Sequence, residues 1–493
     1  MKTCWTRPSD GTFNGRPLRY DFSLRLASLR DDQGQALGTA SVFSYVADLP
    51  ESEREARPVV FAFNGGPGSA SAYLHLGGLG PWRVDFPTDL RLGLSSPPPP
   101  LRPNPHALLD TADLVFIDPI QTGFGRAAPQ AAAAALYSVL GDAAYFADII
   151  CQWLRLEQRL SSPKYLLGES YGTQRAVFLA DRLLNTEGIT LDGLVLLGQA
   201  VNVQETLDRH GNLAGALAGF AFQATTAWFH GRSAHRFDSA DAVTEAALAF
   251  AYGPYAQALL HGQRLESADM QAMAQSLQCW TGVAADVYLR HRLWLTKEGF
   301  LQELQREQGL GLGRCDARYT APEADIAAGE AQTDPSMDRT RPGFVAAVAS
   351  HLGSDPEAVA TAAGSPAAPG GYRLRDDQAG AAWTWRETPA RGFMRFGQAS
   401  PFETYPYVSR LTQFMRQAPA ARLFIGTGLY DSLTTVGAAE HLLRHYDIPL
   451  GRAEHHRYPA GHMMYTDPAV CRQLMADLRG FVSAVPVAEG TPP

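Results

Sequence analysis

YLLGESYGTQRAVFL, residues Tyr165 to Leu179, is the stretch from which the fold is read. Tyr165, Leu166 and Leu167 read as the end of a buried strand. Gly168-Glu169-Ser170-Tyr171-Gly172 then fits G-x-S-x-G. Ala176, Val177, Leu179 and Ala180 open a helical apolar pattern that Leu183 and Leu184 continue. A strand, a tight glycine-flanked serine and a helix make a nucleophile elbow. A serine hydroxyl is a poor nucleophile until a base takes its proton. The sharp turn lifts the hydroxyl above the sheet edge, where a base can reach it, and the glycines leave room for strained backbone. The helix start aims free N–H groups and a partial positive charge where an oxyanion would form. The competing reading is an ordinary strand-to-helix loop, because G-x-S-x-G arises often by chance.

Outward from the elbow, the chain alternates strands and helices. Leu18–Leu26 and Gly38–Val46 read as an antiparallel hairpin turned at Asp31-Asp32-Gln33-Gly34. Val59–Phe63 (VVFAF), Asp113–Asp118 (DLVFID) and Leu194–Leu197 (LVLL) are short apolar runs, as expected of strands buried on both faces. Gly141–Arg159 is helical in pattern, and Ser95–Pro105 is a proline-rich extended loop. From about Glu205 the strand signals fade. Leu213–Phe229, Ala240–Leu260 and Ala268–Leu277 read as amphipathic helices, with more near Trp294. Thr320–Arg341 reads as a loose polar stretch and Ala362–Gly371 as a mobile loop. Alternation resumes with a strand at Arg422–Ile425, a helix at Val436–Tyr446, a strand at Ala453–Tyr458 and a helix at Pro468–Val482. The expected organisation is a core in two parts, residues 1–204 and 402–485, split by a helical lid insertion over 205–401 and ending in a disordered tail, 486–493. The expected fold class is α/β, a mostly parallel central sheet with helices on both faces. Sites in such sheets form at the carboxyl ends of the strands.

That geometry constrains the search for a base. An elbow predicts the chain order Ser, then acid, then His. The next acid after a core strand is Asp431, in RLFIGTGLYDSLT, and one strand–helix–strand unit later stands His462, in RYPAGHMMYTDP. His462 would take the Ser170 proton and return it to the leaving group, with Asp431 fixing the imidazole. His455, His456 and Asp447 are nearby alternatives that fit less well. Read singly, Asp431 is a turn residue and His462 a loop residue; order and strand-end placement join them. Asn64-Gly65-Gly66-Pro67-Gly68, after the VVFAF strand, is the candidate oxyanion hole, with the N–H groups of Gly66 and Tyr171 as donors.

The whole chain sets bounds. Its 493 residues are 45% hydrophobic and 19% charged, with a net charge of −8. That mild acidity and the lack of a basic run argue against a nucleic-acid partner. No run of about 18 apolar residues suggests a membrane span, and the start MKTCWTRP lacks an apolar signal core. Five scattered cysteines, Cys4, Cys151, Cys279, Cys315 and Cys471, suit reduced thiols and a cytoplasmic setting. The alternative is export with a signal peptide removed, under which Cys279 and Cys315 would be the pair. His441 and His445 stand at i,i+4 spacing without an acidic partner, so they read as a solvated helix face rather than a metal site. The chemistry needs no cofactor, and whether copies assemble into a homo-oligomer is left open.

Together, FNGGPGSAS with GLGP (Phe63–Ser71, Gly78–Pro81), DLVFIDPIQTGFG (Asp113–Gly125), GESYG (Gly168–Gly172), GTGLYD (Gly426–Asp431) and AGHMMYTDP (Ala460–Pro468) resemble the serine carboxypeptidase family of the α/β-hydrolase clan. The resemblance implies an α/β-hydrolase fold with a lid, the triad Ser170–Asp431–His462 and an oxyanion hole at Gly66 and Tyr171. It implies that Asn64 and Glu169 bind the substrate's terminal carboxylate. A carboxylate beside Glu169 needs one of the two acids to hold a proton, which favours acidic pH. Two departures stand out. The family's second glutamate, in F-x-E-x-G-P, falls at Gly78. The cysteine after NGGPG is Ser69, and the disulfide pattern of secreted members is missing, as in a bacterial-like branch.

The function expected is removal of C-terminal residues from a peptide through an acyl-enzyme. The loss at Gly78 makes an esterase or acyltransferase, acting on a small acyl substrate with the same triad, the nearest rival. A hydrolase-like binding protein with an idle site is the non-enzyme reading.

Overall fold

The computed structural model describes residues 1–31, 33–90, 97–209, 211–327, 334–353, 359, 371–385 and 407–484. Nine strands follow one path in a single sheet: β1 (Lys2–Phe13), β2 (Arg16–Arg30), β3 (Ala36–Ala47), β4 (Val59–Phe63), β5 (Asp113–Ile117), β6 (Lys164–Glu169), β7 (Gly193–Leu197), β8 (Arg422–Gly428) and β9 (Ala453–Tyr458). Their spatial order is β1-β2-β3-β5-β4-β6-β7-β8-β9, and Arg126–Ala127 adds a short tenth strand beside β3. β1, β2 and β3 are antiparallel, and β3 meets β5 antiparallel. From β5 to β9 every pairing is parallel. This is the α/β-hydrolase arrangement, with a meander on one edge.

Period-two alternation explains how the apolar runs become a two-faced sheet. Phe61 and Phe63 of β4 point to one side, where they meet Trp153 and Phe146 edge-on at 5.5 and 5.3 Å. Val60 and Ala62 point to the other. The first face is covered by the helices Val139–Leu156, Tyr171–Asn185, Tyr407–Gln417 and Val436–His445. The second is covered by Pro468–Ser483 and by Phe344 and Ala347 of the Pro335–Ala347 helix. A third apolar cluster belongs to the residues inserted after β7. Phe220, Tyr255, Trp280, Tyr288 and Phe300 pack together there, and the cluster also takes in Leu429, Tyr430 and Val436 beside β8. Among the described residues no helix is long and apolar enough to cross a membrane.

The structure revises several local expectations. β1 was not foreseen: its twelve residues are mostly exposed and include Pro8, which an edge strand tolerates. Thr320–Arg341 is not uniformly loose. Thr320–Pro322 pairs with Leu310–Leu312, Glu323–Ala327 is a helix, and Pro335–Ala347 is a capped helix. Asp334 caps it, accepting from the Ser336 and Met337 N–H groups, and Pro335 sits in the first turn, where its missing N–H costs nothing. Within Ser95–Pro105, Leu101–Pro103 is a short strand paired with Trp82–Val84. The loop expected over 362–370, the boundary near 401 and the tail 486–493 lie outside the described residues. All five cysteines are free, with Cys279 exposed and Cys315 half-buried.

At the amino end of the parallel strands a buried carboxylate ties the layers. Asp113 accepts from Arg57 Nε at 2.7 Å, from the Ala47 N–H at 3.0 Å and from Arg159 Nη1. All three charged side chains are nearly or fully buried. Removing one partner of such a group strands the others in low dielectric. Asp113→Ala is therefore expected to cost about 3–5 kcal/mol of stability in chemical denaturation, with the triad untouched.

Candidate active site

Ser170 sits at the turn from β6 into the Tyr171–Asn185 helix with φ 59° and ψ −127°. A serine in that region is strained, by about 1–3 kcal/mol, and its surroundings hold it there. Its N–H donates to Leu197 O at 2.9 Å, and its carbonyl accepts from the Thr173 N–H and hydroxyl at 2.9 and 2.7 Å. Both elbow glycines are sterically required. A Cβ on Gly168 would lie 2.1 Å from Gly172 O, and one on Gly172 would lie 2.9 Å from Phe63 O.

Asp431 and His462 follow the ends of β8 and β9, beyond β7 from the elbow strand. His462 Nδ1 donates to Asp431 Oδ2 at 2.7 Å. Asp431 is fully buried, and its carboxylate also accepts from the Leu433 N–H at 2.8 Å and from the Thr434 hydroxyl. The ring of His462 fills space that only a glycine leaves free: a Cβ on Gly198 would stand 3.1 Å from both Cε1 and Nδ1. Gly198 directly follows the carbonyl that holds the Ser170 N–H, so the imidazole lies beside the elbow. No hydrogen bond joins the Ser170 hydroxyl to His462 in this structure; such bonds are often long in unliganded sites and tighten with substrate. Burial alone would lower the His462 imidazole, but the Asp431 carboxylate outweighs it and holds the ring up at about 9. Burial likewise works to raise Asp431, yet His462, Thr434 and the Leu433 N–H hold it below the usual carboxylate range.

The glycine loop after β4 packs backbone to backbone on the elbow. A Cβ on Gly65 would fall 2.5 Å from the Tyr171 N and 2.7 Å from the Gly172 N. Gly66, the next residue, stands at φ 111°. Neither its N–H nor that of Tyr171 donates to another described group. Asn64 is buried and spans the same seam: Nδ2 donates to Glu169 Oε1 at 2.8 Å, and Oδ1 accepts from the Leu74 N–H at 2.9 Å. Burial raises the Glu169 carboxyl, against the opposing pull of His462, Tyr465 and Asn64. Asn64, Gly66, Glu169, Ser170, Tyr171, Asp431 and His462 thus converge on one edge of the sheet.

The alternatives lie elsewhere. His455 faces Glu440, His456 faces Glu454 and Asp477, and Asp447 is exposed. The rings of His441 and His445 lie tilted against each other with centroids 4.3 Å apart. Among the described residues no cluster of His, Cys, Asp and Glu is arranged to hold a metal.

Sequence reasoning missed the supports. Arg175 and Asp142, both fully buried, pair beneath the elbow at 2.7 Å. Arg175 Nη1 donates to Asn64 O at 2.6 Å, and the Tyr171 hydroxyl donates to Asp142 at 2.9 Å. Residues Arg314 to Ala317 of the insertion lace both triad loops. Cys315 O accepts from the His462 N–H at 2.6 Å, Arg314 O from the Ser432 N–H at 3.2 Å, and Asp316 Oδ2 from the Gly461 N–H at 3.1 Å. The Ala317 N–H donates to Tyr430 O at 2.9 Å. Trp383 and Trp385 pack edge-on against the Tyr171 ring. The DSLT spacing of Asp431 and Thr434 was the one local signal available, as a side chain three residues on commonly bonds back to a turn acid.

Residues 38–219 match the family model described as serine carboxypeptidase. No curated protein matches the sequence. Among solved structures, the chain is similar to Kex1Δp, a prohormone-processing carboxypeptidase from Saccharomyces cerevisiae. The TM-score is 0.55 at 14% identity, over 94% of this chain and 90% of that one. At that identity the likeness shows the fold. Looser matches include a homoserine O-acetyltransferase from Bacillus anthracis, with TM-score 0.37 and 9% identity over 95% and 98% of the two chains. Another is a thermostable carboxyl esterase from Bacillus coagulans, with TM-score 0.36 and 12% identity over 94% and 99%.

The charge of Asp431 can be tested through the base. With an uncharged ester, kcat/KM is expected to rise with pH as His462 loses its proton near 9. In Asp431→Asn that limb moves to lower pH, and kcat falls by about 10³–10⁴. A limb that stays in place would separate Asp431 from the base. The linkage to stability has the opposite sense. The raised proton affinity stabilises the fold fully below the ordinary imidazole value of 6.5, and the contribution is lost as pH rises through about 9.

Proposed function

We propose that this α/β-hydrolase, with a serine carboxypeptidase signature over residues 38–219, removes C-terminal residues from peptides through an acyl-enzyme. The observation that supports the reading is the Asn64–Glu169 pair, a buried amide and carboxyl at 2.8 Å on the residue directly before Ser170. A buried acid at that point serves little in ester hydrolysis, whereas it can recognise the charged end of a peptide.

In this mechanism Ser170 Oγ attacks the last peptide carbonyl while His462 takes its proton. Asp431 stabilises the imidazolium, and the N–H groups of Gly66 and Tyr171 meet the oxyanion. His462 then protonates the departing amino acid, and water reverses the sequence to free the shortened peptide. Glu169 acts only in recognition. Protonated, it donates to the terminal carboxylate; ionised, it repels it. Free-acid substrates should therefore lose affinity as pH rises through the raised Glu169 titration, while the base gains strength as His462 loses its proton. Their profile is a bell, whereas an ester or amide of the same compound follows only the rising limb. No cofactor takes part.

An esterase or acyltransferase is the second reading, favoured by Gly78, where no acid stands beside Glu169. A paired assay separates the two, comparing an N-blocked dipeptide with a free C-terminus against its amide and its ester across pH. Turnover of the free acid with a bell-shaped profile is expected; turnover of the ester alone overturns the carboxypeptidase reading. Ser170→Ala should abolish turnover with the fold retained. Glu169→Gln should flatten the falling limb for the free acid and leave the ester alone.

A further inference from the structure

The space beside Gly77 and Gly78 is filled by a residue from the base loop. Both glycines lie in the wide helical turn His75–Leu79 and are buried. A Cβ on Gly78 would stand 2.7 Å from the Cβ of Tyr465 and 2.9 Å from Cys471 Sγ. A Cβ on Gly77 would stand 2.4 Å from Tyr465 Cε2. Neither position can carry a side chain while the ring is there. Tyr465 is completely buried, three residues after His462, in the turn Met464–Thr466.

Its hydroxyl lies against the Glu169 carboxyl and the Asn64 side chain. Neither that hydroxyl nor Glu169 Oε2 completes an aligned hydrogen bond in this structure, although both atoms are shut off from solvent. Two buried polar atoms left open on facing side chains, one a donor and one an acceptor, are complementary to each other. Glu169 Oε1 is already taken by Asn64, so Oε2 is the oxygen available to the phenol.

The geometry points to Tyr465 as the positioning residue of Glu169: its phenol stands where the resemblance places a second glutamate, and it replaces an acid–acid pair with a phenol–acid pair. The site then holds one titrating carboxyl instead of two. A phenol donates to the ionised acid and never repels it, so Glu169 titrates in one step set by its own surroundings. Besides Tyr465 and Asn64, the groups that face Glu169 are His462, Asp431 and, across the cleft, Tyr73. The role of Glu169 in binding rests on the carboxypeptidase reading, but its pairing with Tyr465 does not.

The test uses the full chain with ¹³C-labelled glutamate carboxyls, following the signal that disappears in Glu169→Gln. Tyr465→Phe removes only the hydroxyl. Because that hydroxyl favours the ionised acid, the Glu169 signal is expected to titrate at higher pH in Tyr465→Phe than in the parent. An unmoved signal in a variant of unchanged thermal midpoint overturns the inference. In the kinetic arm, the pH at which KM for the free-acid dipeptide starts to rise moves up with the signal, while KM for its ester and kcat for both stay put. A signal that moves without any change in KM upholds the pairing and overturns the carboxypeptidase reading instead.

Discussion

The buried pair of Arg175 and Asp142 is the constraint on which the rest of the site depends. Asp142 stands in the first turn of the Val139–Leu156 helix, and Arg175 in the first turns of the helix that starts after Ser170. Both are sealed from solvent, so their charges must be matched where they lie. The guanidinium spends one nitrogen on the Asn64 carbonyl, and the carboxylate accepts from the Tyr145 and Tyr171 hydroxyls at 2.6 and 2.9 Å. Two helices, the elbow and the glycine loop are thereby fixed to one point. The strained Ser170 backbone and the close approach of Gly65 to the Tyr171 N are tolerable because what lies beneath them cannot shift.

A second layer of order comes from competition among charges at the strand ends. Asp431 stays ionised in a fully buried setting because His462, Thr434 and the Leu433 N–H all favour its charge. Glu169, also buried and two strands along the same edge, has no hydrogen-bonded cation and is pushed the other way by burial. Two carboxyls at one sheet edge are thus driven apart in proton affinity, one held low beside His462 and the other raised.

The parts legible in the sequence are those with short-range causes. VVFAF, DLVFI and LVLL announce strands buried on both faces, and the first glycine of G-x-S-x-G is required by a contact with Gly172, four residues on. The meeting of Ser170, Asp431 and His462 on one edge was legible because each follows a strand end in the expected order. What was hidden depends on distant partners. Lys2–Phe13 alternates poorly because an edge strand has only one apolar neighbour to satisfy. The Pro335–Ala347 helix carries Pro342 and two arginines in its middle and is stabilised by its Asp334 cap. Gly78 was visible as a missing acid, but its replacement, Tyr465, lies almost four hundred residues further along the chain. Arg175 reads locally as any helical arginine, and only the fold supplies Asp142.

The lacing of Arg314–Ala317 across the loops of Asp431 and His462 bears on how such enzymes diversify. Most of these hydrogen bonds are backbone to backbone and carry no side-chain identity, so the seam can persist through much change in the surrounding insertion, with the Asp316 carboxylate as the exception. An insertion tied in this way is not a detachable module. Exchanging it between relatives to transplant specificity would also exchange the scaffold that sets the imidazole's position. In this chain the insertion and the loops that carry Asp431 and His462 are one mechanical unit, and variation in the first is filtered by the second.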